Sequence, residues 1–188
     1  MLCVNAVAVP RAGALFIALG FVGYSIAMPG FTIGGQNTEK RPDIDITGID
    51  VLVRQSTRIP VEPFDGTRIP YADRSVDVVM FLDVLHHAGD PAALLREAAR
   101  TATQAVLIKD HTLDGMFAGP TLRFMDWVGN ARHGVTLPYN YWNRQTWLEA
   151  FKEVGLAIGV WRSDLGIYPW PATWLFDRSL HFVARLDI

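Results

Sequence analysis

Several stretches of this 188-residue chain end an apolar run on side chains that can bind ligands or move protons. "VDVVMFLDVLHH" breaks into Asp83, His86 and His87, and "QAVLIKDH" breaks into Lys109, Asp110 and His111. Further upstream, "ITGID" ends on Asp50, and "VEPFDG" ends on Asp65 and Gly66. Open α/β sheets hold their ligands beyond the C-terminal ends of the strands, so these positions are the candidate site. An acidic side chain after the second strand of a nucleoside-binding sheet accepts hydrogen bonds from ribose hydroxyls, which is the chemistry open to Asp50. The Asp65–Gly66 pair can turn the chain so that carboxylate and backbone meet an adenine edge. Each of these aspartates also has a plainer reading, since Asp favours turns. His87 and His111 are candidate bases for an acceptor that must lose a proton, and they serve equally as hydrogen-bonded pocket walls. Asp83, His86, His87, Asp110 and His111 also have the residue types of a mixed metal site. Adjacent histidine side chains diverge in most turns, so no metal ligands are assigned.

The elements that must position these residues follow from pattern. "DIDITGIDVLV" (Asp43 to Val53) reads as a buried strand, and "RIPVEPFDG", with two prolines, as a short strand near a sheet edge. "VDVVMFLDV" (Val76 to Val84) is the continuous apolar run of a parallel strand covered on both faces. Asp90-Pro91 supplies a helix cap and a first-turn proline ahead of "AALLREAARTA", and Gln104 to Gly115 is the next strand. Strand, helix and strand at this spacing make a right-handed βαβ unit. "PTLRFMDWVGNARHG" and "NRQTWLEAFKEVG" read as helices, the second capped by Asn143 and stopped by Gly155. "LAIGVWRSDLG" and "SLHFVARLDI" then lie too close for a parallel crossover, so they form an antiparallel pair. The expected fold is α/β: a Rossmann-like three-layer sandwich, mostly parallel, with an antiparallel C-terminal pair.

Composition bounds the rest. The formal net charge is −2 and no basic run is present, which gives no electrostatic footprint for nucleic acid. The single cysteine, Cys3, excludes an intramolecular disulfide and any site built on several cysteines, and it fits a cytoplasmic location. No charge falls between Arg11 and Glu39. Within that gap Ala12 to Met28 is apolar and borders on the length of a membrane span, although Gly13, Gly20 and Gly23 weaken it. Residues 1–38 therefore read either as a divergent first strand and helix or as a membrane-associated segment, ahead of a domain over 39–188. Tyr139, Tyr141, Trp142, Tyr168, Trp170 and Trp174 fall in loop-like stretches, and with Trp127 they either wall an apolar pocket or form a satellite core.

The stretches "ITGIDVLVR", "FDGTRIPYADRSVDVVMFLDVLHHAGDPAALLREAAR" and "AVLIKDH" resemble class I S-adenosylmethionine-dependent methyltransferases of the small-molecule type. The resemblance implies methyl transfer from S-adenosylmethionine to a small-molecule acceptor; a non-catalytic binding or interaction module is the alternative. It implies that Asp50 holds the ribose and that Asp65 and Gly66 lie near the adenine. Leu82 and Asp83 then lie beside the methionine part, with the His86–His87 region toward cofactor or acceptor. The family's Asp-x-Gly-x-Gly-x-Gly turn is not recognisable here. Gly30, Gly34 and Gly35 lie near the expected distance before Asp50, without the preceding acid or the spacing.

Overall fold

The computed structural model describes residues 14–18, 45–51, 53, 59–130 and 137–188. Strand β1 is Ala14–Ala18, β2 Ile46–Asp50, β3 Val61–Pro63, β4 Val76–Leu82 and β5 Ala102–His111. Helix α1 covers Pro91–Thr101, α2 Ala118–Asn130, α3 Arg144–Glu153 and α4 Ala172–Phe176. Strands β6 (Ala157–Arg162) and β7 (His181–Asp187) close the chain. The seven strands form one sheet in the order β3-β2-β1-β4-β5-β7-β6. Pairing is parallel from β3 to β5 and antiparallel for β5–β7 and β7–β6. This is the expected Rossmann-like class, mostly parallel with an antiparallel C-terminal pair.

The apolar N-terminal run contributes β1, hydrogen-bonded on both sides: Ala18 registers with Asp50 of β2, and Ile17 with Phe81 of β4. The strand reading, not the helical one, is the one seen for Ala14–Ala18. No helix among the described residues is long and apolar enough to cross a membrane. Gly20, Gly23, Gly30, Gly34 and Gly35 lie outside the described residues. Strand β3 is an edge strand, where the two prolines of its sequence are tolerated because one side needs no ladder donors.

Local chemistry sets the boundaries. Asp90 caps α1 by accepting from the Ala93 amide at 2.9 Å, and Pro91 sits in the first turn, where its missing donor costs nothing. Asn143 caps α3 by accepting from the Thr146 amide at 2.8 Å, and Gly155 ends it at φ 78°. Strand β5 starts two residues earlier than its sequence pattern implies and ends at His111 rather than Gly115. Ala172–Phe176, expected as loop, is a short helix.

Leu94, Leu95 and Ala98 of α1 join Trp147, Ala150 and Phe151 of α3 in one core against Val79 and Phe81 of β4 and Val106 and Ile108 of β5. Aromatic packing extends this core to β6 and β7: Trp161 stacks on Phe182 at 4.1 Å, and Trp147 meets Phe182 edge-on at 5.2 Å. The Trp147 indole also donates to the His111 carbonyl at 3.0 Å, which ties the core to the end of β5. A second cluster of Ala118, Leu122, Tyr141 and Leu180 lies under the loop before α3.

Candidate functional site at the strand ends

The chain order reverses between β1 and β4, and at such a switch point adjacent connections leave on opposite faces and open a crevice. Asp50 is the last residue of β2, in register with Ala18 on one side and Pro63 on the other, and is fully buried. Asp65 follows β3 by two residues. Its Oδ1 accepts from the Thr67 amide at 2.7 Å, the Thr67 hydroxyl at 2.9 Å and the Arg68 amide at 2.9 Å. These donors stabilise the carboxylate and lower its pKa, while Gly66 takes φ 85°, a value that suits glycine. Asp83 directly follows Leu82 at the end of β4 with φ 52°, a left-handed conformation in which Asp is one of the better tolerated residues. Asp50, Asp65, Gly66, Leu82 and Asp83 thus all lie beyond the same edge of the parallel strands.

The turn carrying Asp65 is held from below. Arg100 on α1 donates to the carbonyls of Ile69 and Tyr71 at 3.1 and 3.0 Å, and to Asp73 at 2.6 Å. Its remaining N–H groups engage Glu97 at 2.9 and 2.7 Å, and Glu97 accepts from the Ile69 amide at 3.0 Å. The fork shape of the guanidinium is what permits this many simultaneous bonds.

Next to Asp83 is a set of charges sunk into the sheet. Lys109 Nζ bonds both Asp83 carboxylate oxygens, at 2.5 and 2.7 Å, and lies 3.4 Å from His181 Nδ1. His181 registers across from His111. Burial lowers the pKa of His181, and the neighbouring Lys109 and His111 lower it further, so it is neutral at physiological pH.

Leu85–His87 form a single 3-10 turn after β4. Within it His86 is 1% exposed, and its Nδ1 lies 2.5 Å from Asp110 Oδ1. Asp110, at the end of β5, also accepts from the amides of Leu85 at 3.0 Å and His111 at 2.8 Å. On the far side of the same ring, His86 Nε2 is 3.7 Å from Asp126 Oδ1, and Tyr141 stacks on the ring at 5.4 Å while donating its hydroxyl to Asp126. Burial alone would lower the His86 pKa, but Asp110 and Asp126 outweigh it and push it up to about 10. His87, packed against His86 at 4.0 Å between ring centres, moves the other way, to about 3, through burial and the charge of His86. His111 is nearly buried, with Nδ1 3.4 Å from His86 Nδ1.

The structure therefore brings His87 and His111 together around His86. His86, Asp110, Asp126, Tyr141, Lys109 and His181 emerge as the groups that hold them. Asp126 carried a readable signal, because Ala118, Leu122 and Asp126 recur every four residues and place an acid on the buried stripe of α2. The late aromatics divide: Tyr141 is buried in the satellite cluster, whereas Trp127, Trp170 and Trp174 are exposed.

A methyltransferase-domain family model matches residues 38–107. No curated protein sequence matches the chain. Among solved structures, a Mesorhizobium loti S-adenosylmethionine-dependent methyltransferase superposes with a TM-score of 0.62 at 15% identity, covering 100% of this chain and 94% of its own. A chain of the complex between a Haloferax volcanii methyltransferase activator and a methyltransferase-family protein gives 0.62 at 16% identity, covering 92% and 81%. A Thermotoga maritima S-adenosylmethionine-dependent methyltransferase gives 0.60 at 15%, also covering 92% and 81%. The fold is thus shared with S-adenosylmethionine-dependent methyltransferases of known structure, and the matched segment is similar to a methyltransferase domain.

Proposed function

We propose that the protein transfers a methyl group from S-adenosylmethionine to a small-molecule acceptor, using the crevice beyond β1 and β4. The observation that carries this reading is the convergence of Asp50, Asp65 and Asp83 on one sheet edge around the switch point. That donor set suits the group. A buried carboxylate at the end of β2 matches a vicinal diol, the Asp65–Gly66 turn matches a heterocycle edge, and Leu82 with Asp83 matches the amino-acid end. S-adenosylmethionine supplies an electrophilic methyl on a sulfonium; the chain's work is to align an acceptor with it and exclude water. His111 flanks the acceptor side and takes up a proton where the acceptor must lose one, while His87, kept neutral by burial and by His86, forms the pocket wall beside it. In this reading residues 39–188 form the methyltransferase-like domain, and Ala14–Ala18 of the N-terminal segment complete its sheet between β2 and β4.

The test is calorimetry with S-adenosylmethionine and its demethylated product on the intact chain and on Asp50→Ala. Saturable binding that weakens at least tenfold in the variant supports the reading. Absence of heat at millimolar ligand in the intact chain would instead leave a methyltransferase-like module that does not use the cofactor.

A further inference from the structure

We propose that His86 Nε2, a ring nitrogen of His87 and Asp126 Oδ1 form a binding site for one divalent transition-metal ion of the zinc class, set beside the acceptor face. The candidate ligand atoms of these three residues all lie within 4.8 Å of one another. His86 Nε2 is buried, has no hydrogen-bond partner among the described residues, and sits 3.7 Å from Asp126 Oδ1. That gap is too long for a hydrogen bond. Two ligand atoms each about 2.1 Å from a shared ion stand about 3.4–3.6 Å apart in tetrahedral or trigonal geometry, which is close to the separation seen.

The opposite side of the His86 ring supports the same reading. Its Nδ1 is engaged by the buried Asp110 carboxylate at 2.5 Å. When an ion displaces the proton from Nε2, releasing it to solvent, the carboxylate on the other ring nitrogen fixes the tautomer and orients the ring toward the ion, as in carboxylate–histidine–metal triads. Asp126 is held in turn by the Tyr141 hydroxyl, so both ligands have oriented supports. Charge gives an independent argument. Two buried carboxylates, Asp110 and Asp126, flank one imidazole. A proton on that ring balances one of them, whereas a divalent ion balances both; Lys109 is already paired with Asp83.

A second grouping, His86 with Asp110 and His111, is the weaker candidate. Its His86–Asp110 separation of 2.5 Å is that of a hydrogen bond and leaves no room for an ion between the two atoms. The favoured trio offers three protein ligands, and the ring nitrogens of both histidines are buried. With three protein ligands, a fourth position would be filled by water or a heteroatom of a small molecule.

The test uses tag-free full-length protein, stripped with a chelator and titrated with cobalt(II), whose visible absorption reports low-coordinate nitrogen and oxygen ligation. The expected result is one equivalent bound, displaced by zinc. His87→Ala, which removes the least buried ligand, and Asp126→Asn should each weaken binding at least 100-fold. Asp110→Asn should weaken it 10- to 100-fold through the orientation of His86. Circular dichroism identifies any variant that has lost its fold, and His87→Ala keeps the test decisive if the buried variants unfold. No saturable cobalt signal in the intact chain would overturn the proposal, as would a signal unchanged in His87→Ala. Cobalt binding is read without cofactor, so its outcome is separate from that of the calorimetry above.

Discussion

Replacing Arg100 by alanine removes most of the side-chain bonds that tie α1 to the loop carrying Asp65, leaving the Glu97 bond to the Ile69 amide. Two carbonyls, Ile69 and Tyr71, lose a charged donor, and Glu97 loses a two-point partner. The Arg100 and Glu97 side chains are 22% and 20% exposed, whereas Asp73 is 75% exposed. The Asp73 pair is therefore screened and adds about 0–1 kcal/mol. The two carbonyl bonds and the part-buried Glu97 pair add about 2–3 kcal/mol together, discounted from charged bonds in a dry interior. The total, about 2–4 kcal/mol, corresponds to a drop of roughly 4–16 °C in melting temperature for a chain of this size. Glu97 gives the change a pH signature. Arg100 holds its pKa below the ordinary value, so that part of the stabilisation is present above about pH 4.5 and fades as pH falls through the lowered value. The difference between wild type and Arg100→Ala should be largest at pH 7 and should shrink as pH falls through the lowered value of Glu97, toward what the carbonyl bonds alone supply. Scanning calorimetry measures the shift, and hydrogen exchange at the Thr67, Arg68 and Ile69 amides should quicken in the variant. A melting shift below 2 °C at pH 7, with unchanged exchange, would refute the claim that Arg100 positions the Asp65 turn.

Asp50→Asn should weaken S-adenosylmethionine binding about 10- to 100-fold, the worth of charge-assisted bonds to a diol, as read by calorimetry. Trp147→Ala should cost about 3–5 kcal/mol in denaturant unfolding, because a 1% exposed indole at the centre of the aromatic core is removed and the His111 carbonyl loses its donor. Asp90→Ala should cost about 1 kcal/mol by the same assay, through the lost cap of α1. His181→Gln should flatten the acid side of the stability profile. The native pKa of His181 is lowered, so below the unfolded value of about 6.5 only the unfolded chain takes up that proton, and stability falls with pH by up to about 1.4 kcal/mol per unit. The groups facing it are Lys109, His111, Asp110 and Tyr168, and a slope between pH 6.5 and 5 that is the same in wild type and variant would contradict its neutral burial.

Sequence pattern carried the parallel half of the fold well where punctuation was strong. Asp90-Pro91 and Asn143 mark helix starts by chemistry that does not depend on tertiary context, and both caps are present. The N-terminal run had no such punctuation. A strand at the centre of a parallel sheet is apolar throughout, and so is a membrane segment, so periodicity cannot separate them. What identifies Ala14–Ala18 as a strand is its pairing with β2 and β4, a non-local fact.

The histidines show the same limit at the site. Residue type alone singled out His87 and His111 as chemical candidates, yet the ring between two carboxylates is His86. Adjacent residues in a 3-10 turn point in different directions, so only one of the pair can stand between Asp110 and Asp126, and which one is decided by what waits there. Asp110 waits there because β5 pairs with β4 in the register that sets Leu82 against Lys109, bringing the end of β5 beneath the turn. Asp126 waits on the other side because α2 turns its Ala118–Leu122–Asp126 stripe inward. His181 reaches the cluster only through the antiparallel register that sets it opposite His111. Each local signal was present in the chain: an acid ending a strand, an acid on a helical stripe, a histidine beginning a strand. Asp110 and Asp126 meet on the His86 ring and His181 packs on His111 beside it, so two strand registers and one helix face turn three separate signals into one cluster.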